Sequence, residues 1–576
     1  MKEKVNKFHN LLAACLIGSI FILSVVTAKD YGMTWDELKD LYVAERNLRY
    51  VLTLDPAWLD FSIPVNFEIP GKHPELPHGL RPYRMYIFGN LLSSIGCYLF
   101  FEKLGLMNSV EAYHFPNKLL SAGMLVAVFL FVRRNFDIYT AYAAVPAIAF
   151  QPRLWADMQF NIKDFPYVCI MTFTLISIRN SFLKSRWKGI SLSAVLLGLA
   201  EATKLNAALI VVIAFIWCLF AGSSRKKLSG KPNIIFWTAV AVSPFITALT
   251  YIAVWPWLWA DPIGHFELFM DHYLNLATKG PPHFQWGNIY LFLAVQPPAV
   301  LLFGSIGILL GIVETIRGIR RELNILLLLW LFLPVFRVTL PKVYDYDGVR
   351  HFIEYAVPLG ILTARGFVYF CERFYGALAH RIPRKTAIAS VVLSAALLPS
   401  GWAYTSYKIH PYEIAYFNFI VGGTKGAQQR WPDATDYWGS SYRDGMKWLT
   451  RNAEPGSLIA VPIGVHIVYC TRNMWLRNDL KVLNMDVNGF LPESQMLLYK
   501  FYKKPEQPLY VMYITRRAGY RGLITLLENR EKPVYEITVD GAPILKIYKI
   551  NSMDETMAKI MGLIKPNGDN NEKISP

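Results

Sequence analysis

Long apolar runs dominate the first two-thirds of the chain. The first, 10–28, follows three lysines and is long enough to cross a bilayer, so we interpret it as an uncleaved membrane helix rather than a cleaved signal peptide. Further runs predict spans at roughly 115–132, 138–151, 165–180, 188–203, 205–221, 234–254, 287–313, 323–340, 352–370 and 386–404. About eleven spans predict an α-helical polytopic membrane protein.

The placement of basic residues predicts an orientation. If the N-terminus is cytoplasmic, alternate loops such as 133–134, 225–231 and 317–321 are rich in Lys and Arg, while the opposite short loops are poor in them. This parity predicts a multi-pass protein of the plasma (inner) membrane. It requires 84–101 to lie at the membrane interface rather than to cross, and 188–221 to be a hairpin broken at 203–204.

The last third of the chain has a different pattern. Short apolar runs at 457–462, 509–514 and 543–549 predict strands, and 440–452 and 520–529 predict helices. We therefore expect a transmembrane domain over 1–404 with an outside loop at 30–113. A small extracytoplasmic α/β domain over 405–550 and a flexible tail over 551–576 would follow.

Composition narrows the function classes. The chain has 53% hydrophobic and only 18% charged residues, which is too apolar for an ordinary soluble enzyme. The net charge of +17 comes from loops between apolar runs, so it indicates membrane orientation and not a nucleic-acid partner. The 6 cysteines form no CxxC pair, which argues against a disulfide framework or a zinc site.

Groups capable of chemistry lie in the outside loops. Asp36 and Glu37 follow the first span directly, where adjacent carboxylates suit a general base or a metal ligand. They also suit an ordinary helix N-terminus capped by Thr34, and the two roles are compatible. Segment 72–78 carries two histidines and a glutamate, which is either a metal-binding pattern or a proline-rich loop without chemistry.

Basic residues with acidic neighbours occupy the other outside loops. Lys163 and Asp164 begin a span, where snorkelling is the alternative explanation, and Lys204 separates two apolar runs. Segment 344–351 brings two acids, an arginine and a histidine to the start of another span. An acid pair that activates an acceptor and cations that bind phosphate together suit transfer from a lipid-phosphate donor.

These motifs, in this order, carry a family resemblance over roughly residues 10–370. They are 34–37, His73-Pro74, 161–166, 203–206, 255–259 and 346–351. The pattern resembles the GT-C class of membrane glycosyltransferases, and in particular glycosyltransferase family 39 (the protein mannosyltransferases and aminoarabinose transferases) with its bacterial relatives. The resemblance implies inverting transfer of a sugar from a polyprenyl-phosphate donor to the hydroxyl of a protein, lipid or glycan acceptor.

The resemblance also implies residue roles. Asp36 becomes the general base, Glu37 orients it or helps to bind the acceptor, and Asp164 is a second acid of the site. Arg350 is the residue chiefly expected to contact the lipid phosphate. The full set of residues expected to contact substrate is Lys163, Lys204, Asp347, Arg350, His351 and His73. Because the usual His-Pro-Pro-Leu form is replaced here by 73–76 with a glutamate, a metal role for His73 is weakened. A divalent metal stays open.

These assignments require the turn at 35–37 and the turn at 348–351 to meet in one pocket at the non-cytoplasmic membrane surface. The alternative function is a polytopic transporter or flippase of a lipid-linked or small-molecule substrate. Such a protein usually shows paired repeats and broken helices at the midplane. The chain shows no internal repeat, and its chemically capable groups lie in loops on one face.

Overall fold

The computed structural model describes residues 2–62, 86–229, 233–277, 279–486 and 489–564. Within them the chain forms two compact units. The helical unit contains 2–30, 39–62 and 86–423, and the C-terminal unit contains 31–38 together with 424–564. The short segment that carries Asp36 and Glu37 therefore belongs to the C-terminal unit.

Helices account for almost all of the regular structure before residue 410. Numbered along the chain, they are α1 Lys2–Val26, α2 Glu37–Thr53, α3 Phe88–Cys97, α4 Ser109–Asn135, α5 Ile138–Ala149, α6 Pro152–Phe160, α7 Asp164–Leu183, α8 Trp187–Glu201, α9 Ala208–Ser229, α10 Ile234–Ala253, α11 Pro262–Ala277, α12 Gly287–Ala294, α13 Pro298–Ile316, α14 Arg321–Arg337, α15 Ala356–Ala379 and α16 Arg384–Ile409.

Five helical stretches among the described residues are long and apolar enough to cross a membrane. They are Asn6–Asp30, Ser109–Asn135, Leu205–Gly222, Ile234–Ala253 and Pro298–Ile316. The other predicted spans coincide with helices, of which α5 is apolar but short. The predicted break at 203–204 is confirmed, because α8 ends at Glu201 and α9 begins at Ala208.

One predicted span has the wrong bounds. The apolar run 287–313 is not a continuous helix but divides into α12 and α13, and a bend separates them at 295–297. Pro297 caps α13 and Pro298 is its first residue. Proline has no backbone N–H and favours the first turn of a helix, so this pair ends one helix and begins the next. Hydropathy alone does not detect that break.

Two glycines allow close packing of α13 against α15. A Cβ atom on Gly307 would lie 1.9 Å from the carbonyl oxygen of Leu362. A Cβ atom on Gly366 would lie 2.0 Å from the carbonyl oxygen of Phe303. The two helix backbones thus touch at positions where no larger residue fits, as is common where membrane helices pack without a hydrophobic driving force.

The C-terminal unit is built around a five-stranded sheet of order β2-β1-β5-β7-β6. The seven strands are β1 Leu458–Ala460, β2 Lys481–Val482, β3 Met485–Asp486, β4 Gly489–Phe490, β5 Leu509–Ile514, β6 Tyr535–Val539 and β7 Ala542–Ile550. The helices are α17 Gly423–Gln428, α18 Tyr442–Asn452, α19 Val465–Trp475, α20 Pro492–Lys503, α21 Gly522–Arg530 and α22 Glu555–Ile560. Strand β5 is central and buried at every position.

The sheet is mixed. β1 pairs parallel with β2 and β5, while β7 pairs antiparallel with β5 and β6. β3 and β4 form a separate two-stranded hairpin. Because β1 and β5 are parallel neighbours, the loops that follow them leave from the same edge of the sheet. Residues in those loops contact Trp35, the residue before Asp36.

Part of the predicted flexible tail has regular structure. α22 lies inside 551–576, and Met557 and Ala558 on it are buried. The Asp554 side chain accepts a hydrogen bond from the backbone N–H of Met557 and so caps the helix. Met553, Met557 and Met561 have the spacing of one helix face, a signal that the polar composition of the whole segment obscured.

A buried ion pair ties α7 to α14 in the helical unit. Arg179 Nη2 lies 2.5 Å from Glu322 Oε1, and Arg179 Nε donates to Glu322 Oε2 at 2.9 Å. Trp217 Nε1 donates to the Glu322 carbonyl oxygen, which adds α9 to the same contact. The bidentate geometry satisfies both charges where little water reaches them.

Replacing Arg179 by Ala should destabilise the protein strongly. The substitution leaves Glu322 buried without its counter-charge, a loss that typically costs about 3–5 kcal/mol. A thermal melt of the detergent-solubilised protein should show a clearly lower Tm. The matched control is Arg530→Ala, which breaks the exposed pair Arg530–Asp554 and should cost at most about 1 kcal/mol. Equal Tm values for the two variants would contradict the importance of the buried pair.

Candidate active site

Asn161 holds two carboxylates at the junction of α6 and α7. Its Nδ2 donates to Asp157 Oδ1 at 2.8 Å and to Asp164 Oδ2 at 2.9 Å. Its Oδ1 accepts the backbone N–H of Asp164 at 2.8 Å, and this bond starts α7. Asn161 follows α6 and binds the first backbone N–H of α7, and one of its two acid partners lies on each helix.

Asp164 is the centre of a buried group of charges. Lys204 Nζ lies 2.6 Å from Asp164 Oδ1, and Arg350 Nη1 lies 3.6 Å from Asp164 Oδ2. Lys204 Nζ also donates to the Arg350 carbonyl oxygen at 3.3 Å. The structure thus brings together three residues that the sequence predicted for the site, from three separate loops.

The two acids on Asn161 have opposite properties. Burial alone would raise the pKa of Asp164, but the positive charges of Lys204 and Arg350 outweigh it and hold that pKa well below its usual range. Burial raises the pKa of Asp157 to about 7, although the Asn161 hydrogen bond opposes the rise. Asp164 is therefore a permanent anion and a poor proton acceptor, whereas Asp157 can exchange a proton near neutral pH.

A strained turn presents Arg350. Asp347 and Gly348 both have positive φ, at 59° and 68°, and Asp347 Oδ2 accepts from Arg350 Nη2 at 3.0 Å. The guanidinium also lies 5.1 Å from the centroid of the Tyr346 ring. A positive φ is uncommon for a residue other than glycine, although Asp tolerates it better than most, and such conformations often occur at positions that place a functional group.

Lys163 and His351 complete the neighbourhood. Lys163 Nζ lies 2.8 Å from Asp40 Oδ2. Burial lowers the pKa of His351 well below its usual range, and the nearby charges of Arg350 and Lys204 add to this effect. The imidazole is consequently neutral at pH 7. It can donate or accept a hydrogen bond there, but it does not contribute the positive charge that a cationic phosphate ligand would supply.

Several residues of this neighbourhood were not assigned roles from the sequence. Asp40 lies on α2, only three positions after Glu37, and the pattern of that helix gives no sign that it meets Lys163. Arg337 ends α14, and its Nη2 donates to the His351 carbonyl oxygen at 2.7 Å. Asp157 and Asn161 lie four residues apart, just before Asp164 in the sequence. This i, i+4 spacing was the available signal that the two side chains could meet.

Asp36 and Glu37 lie in the C-terminal unit. Glu37 is the first residue of α2 and is almost fully buried, and its Oε1 accepts the Thr34 hydroxyl at 2.5 Å. Asp36 is half-buried. The side chains of Thr34 and Glu37 are thus linked at the start of α2, with Asp36 between them, and capping by Thr34 stays a prediction. That Asp36 and Arg350 share a pocket stays a prediction.

His73 lies outside the described residues, as do the neighbouring glutamate and histidine of segment 72–78. Among the described residues, one group has the donor set and spacing to hold a metal ion, namely Glu45, Cys97 and Glu102. Tyr113 donates to Glu45, and Arg49 lies 2.6 Å from Glu102, so both carboxylates have protein partners. The predicted site residues do not take part in this group, and the divalent metal stays open.

Comparison with known proteins finds one family model that matches part of the chain. Residues 91–251 match the family model described as dolichyl-phosphate-mannose-protein mannosyltransferase. This stretch contains Asn161, Asp164 and Lys204. The resemblance to GT-C membrane glycosyltransferases is therefore confirmed. No curated protein matches the chain.

Solved structures of the same class are similar. The oligosaccharyltransferase AglB from Archaeoglobus fulgidus, in complex with an inhibitory peptide and a dolichol-phosphate, has a TM-score of 0.51 and 13% identity, over 96% of this chain and 78% of that chain. ArnT from Cupriavidus metallidurans, bound to undecaprenyl phosphate, has a TM-score of 0.48 and 12% identity, over 93% and 97%. The likeness to AglB shows that the fold is of the GT-C type.

The raised pKa of Asp157 predicts a pH-dependent stability. The native carboxyl keeps a proton up to about pH 7, whereas an unfolded Asp loses it near its ordinary pKa of about 3.9. The stabilising contribution is fully present below that ordinary value and is lost as the pH rises through 7. The side chain of the Asp157→Asn variant cannot ionise, and it keeps the oxygen that accepts the hydrogen bond from Asn161. Relative to this variant, the wild-type protein should therefore have a lower Tm at pH 8 than at pH 5.

Thermal melts over this pH range provide the measurement. Asp554→Asn is the matched control, because the backbone N–H of Met557 holds the pKa of Asp554 below its usual range. The contribution of Asp554 is lost only in more acidic solution, so its Tm difference from wild type should stay constant from pH 5 to 8. A constant difference for Asp157→Asn as well would contradict a buried, protonated Asp157.

Proposed function

We propose that the protein is an inverting glycosyltransferase. It moves a sugar from a polyprenyl-phosphate donor to an acceptor hydroxyl at the outer face of the plasma (inner) membrane. The family match and the GT-C fold support lipid-linked sugar transfer as the class of reaction. The acceptor is a protein, a lipid or a glycan, and the N-terminus is cytoplasmic in this proposal.

The observation that carries the proposal is the buried positive group around Asp164. The carboxylates Asp164, Asp40 and Asp347 each lie within salt-bridge distance of a cation. The positive groups are Lys163, Lys204, Arg337 and Arg350, and the acids Asp345 and Glu354 also lie near Arg337 and Lys204. A phosphate added to this group would find cations that are already fixed in place.

Fixed cations suit the reaction. As the bond between the sugar and the lipid phosphate breaks, negative charge grows on the departing phosphate. Positive groups held in advance in a poorly hydrated site stabilise that charge without having to reorganise. In the proposal, Arg350 contacts the phosphate, Lys204 and Lys163 add positive charge, and Asp164 keeps Lys204 and Arg350 in position. His351 acts as a neutral hydrogen-bonding neighbour.

A lipid phosphate is a good leaving group, so a strong general acid is unnecessary. The acceptor hydroxyl must lose a proton as it attacks the sugar, and a carboxylate is the usual base. We assign this role to Asp36, with Glu37 held by Thr34 at the start of α2. Because the pKa of Asp164 is held low, Asp164 is the weaker candidate for base.

A radiolabelled transfer assay tests the function and separates it from transport. Membranes that contain the protein should transfer label from undecaprenyl-phosphate-linked sugars to an acceptor. Label that is taken up into sealed vesicles without covalent transfer would instead support a transporter or flippase. Analysis of cell-envelope glycans after deletion of the gene would then identify the sugar and the acceptor.

Asp36→Asn should lower transfer to a small residual rate while the protein still inserts and folds. Loss of a general base typically lowers kcat by about 10²- to 10⁴-fold. The measurement is the initial rate of transfer, normalised to the amount of folded protein in the membrane. Asp55→Asn changes an exposed carboxylate in the same outside loop and should retain the wild-type rate. Wild-type activity of Asp36→Asn would remove Asp36 from the role of base.

Arg350→Ala should weaken use of the lipid donor. Loss of charge-assisted hydrogen bonds to a phosphate corresponds to a fall in kcat/KM of about 10- to 100-fold. Titration with undecaprenyl phosphate as a competitor should show weaker binding, and Arg350→Lys should recover part of it. Lys342→Ala changes an exposed cation of the same loop and provides the control. Unchanged donor affinity in Arg350→Ala would mean that Arg350 is purely structural.

A further inference from the structure

The segment that carries Asp36 is held by the C-terminal unit through its backbone. The Trp35 N–H donates to the carbonyl oxygen of Trp438 at 2.9 Å. The Trp35 carbonyl oxygen lies 2.9 Å from His466 Nε2. A carbonyl oxygen only accepts, so His466 Nε2 carries the proton and is the donor. Both backbone groups of the residue before Asp36 are thus bound by the C-terminal unit.

The Trp35 side chain is held as well. Its ring meets the His466 ring edge-on at 5.0 Å, and the Arg516 guanidinium lies 5.3 Å from its centroid. A Cβ atom on Gly464 would lie 2.8 Å from the ring, and Gly464 has a φ of +68°. Only glycine combines that backbone conformation with so close an approach to an aromatic ring.

A second close contact lies on the other side of the segment. A Cβ atom on Gly32 would lie 2.7 Å from the carbonyl oxygen of Ser440. Met33 and Thr34 are fully buried, and Thr34 is hydrogen-bonded to Glu37. The residues on both sides of Asp36 are therefore fixed, while Asp36 itself remains half-buried.

The residues that hold Trp35 come from one edge of the sheet. Gly464 and His466 follow β1, and Arg516 follows β5, its parallel neighbour. Asp436 fixes the loop of Trp438 by accepting backbone N–H groups from Gly439 and Ser441 at 3.0 and 2.6 Å. In α/β domains the carboxyl edge of parallel strands is the usual place for a ligand. Here Trp35 occupies it.

We propose that the C-terminal unit positions Asp36, and that His466 is a positioning residue for it. Loops at the parallel-strand edge of the unit's sheet bind Trp35. This binding fixes the position of Asp36, the next residue along the chain. This inference rests on the proposed role of Asp36 as general base. A base must be held close to its reacting proton, and a displacement of about 1 Å can lower the rate about 10²-fold.

The test compares variants of His466 in the full-length enzyme in membranes. His466→Leu removes the N–H donor, whereas His466→Gln retains an amide N–H at a similar reach. The assay uses the undecaprenyl-phosphate sugar that supports wild-type transfer. His466→Leu should lower kcat about 10- to 100-fold, with the donor KM within about twofold of wild type. His466→Gln should recover most of the loss.

A double variant separates positioning from general damage. Because His466 acts through Asp36, Asp36→Asn with His466→Leu should be no less active than Asp36→Asn alone. Asn473→Ala lies on the exposed side of the same helix and should keep the wild-type kcat. If His466→Leu does not accumulate, His466→Asn provides the same test, since its amide is too short to reach the Trp35 carbonyl.

The outcomes discriminate clearly. Wild-type kcat in His466→Leu, or a further loss in the double variant, would overturn the inference, and so would failure of His466→Gln to recover activity. If Asp36→Asn itself kept full activity, the proposed base would be wrong, and the positioning role would fall with it. If Asp36→Asn is inactive but His466→Leu is fully active, only the positioning role is wrong.

Discussion

The buried carboxylate of Asp164 is the contact on which the helical unit's candidate site depends. It lies within reach of Lys204 and Arg350, which come from loops far apart in the chain. Without that anion, two buried cations would repel each other and their desolvation would be uncompensated. The same ion pairs that stabilise these loops therefore create a fixed positive group. In the proposed function, the same contact holds the cations that bind the lipid phosphate.

Asn161 shows how one side chain can support two opposite tasks. It donates to both Asp157 and Asp164, yet only Asp164 has cations beside it. The pKa of Asp164 is consequently held low, while burial raises that of Asp157 to about 7. Asp164, as a permanent anion, can hold cations in place. Asp157, with a pKa near neutrality, can exchange a proton. The difference comes entirely from the neighbours of each carboxylate.

The C-terminal unit has a matching role in the proposal. Its sheet supplies rigid strand ends, and the loops beyond β1 and β5 hold Trp35 through one backbone and several side-chain contacts. Functional groups are placed more accurately when rigid elements support the loop that carries them. The sequence predicts this unit only as a small α/β domain. In the proposal it determines the position of Asp36, the proposed general base.

The sequence by itself determined what local patterns can encode. Apolar runs predicted the helices and the break before α9, strand-like runs matched β1, β5 and β7, and Lys163, Asp164, Lys204 and Arg350 were identified by charge in an apolar context. Only the tertiary structure decided the bend at 295–297, the partner of Lys163, and the docking of Trp35 on residues about four hundred positions away. Such contacts join segments distant in the chain, and their geometry depends on packing that no local pattern records.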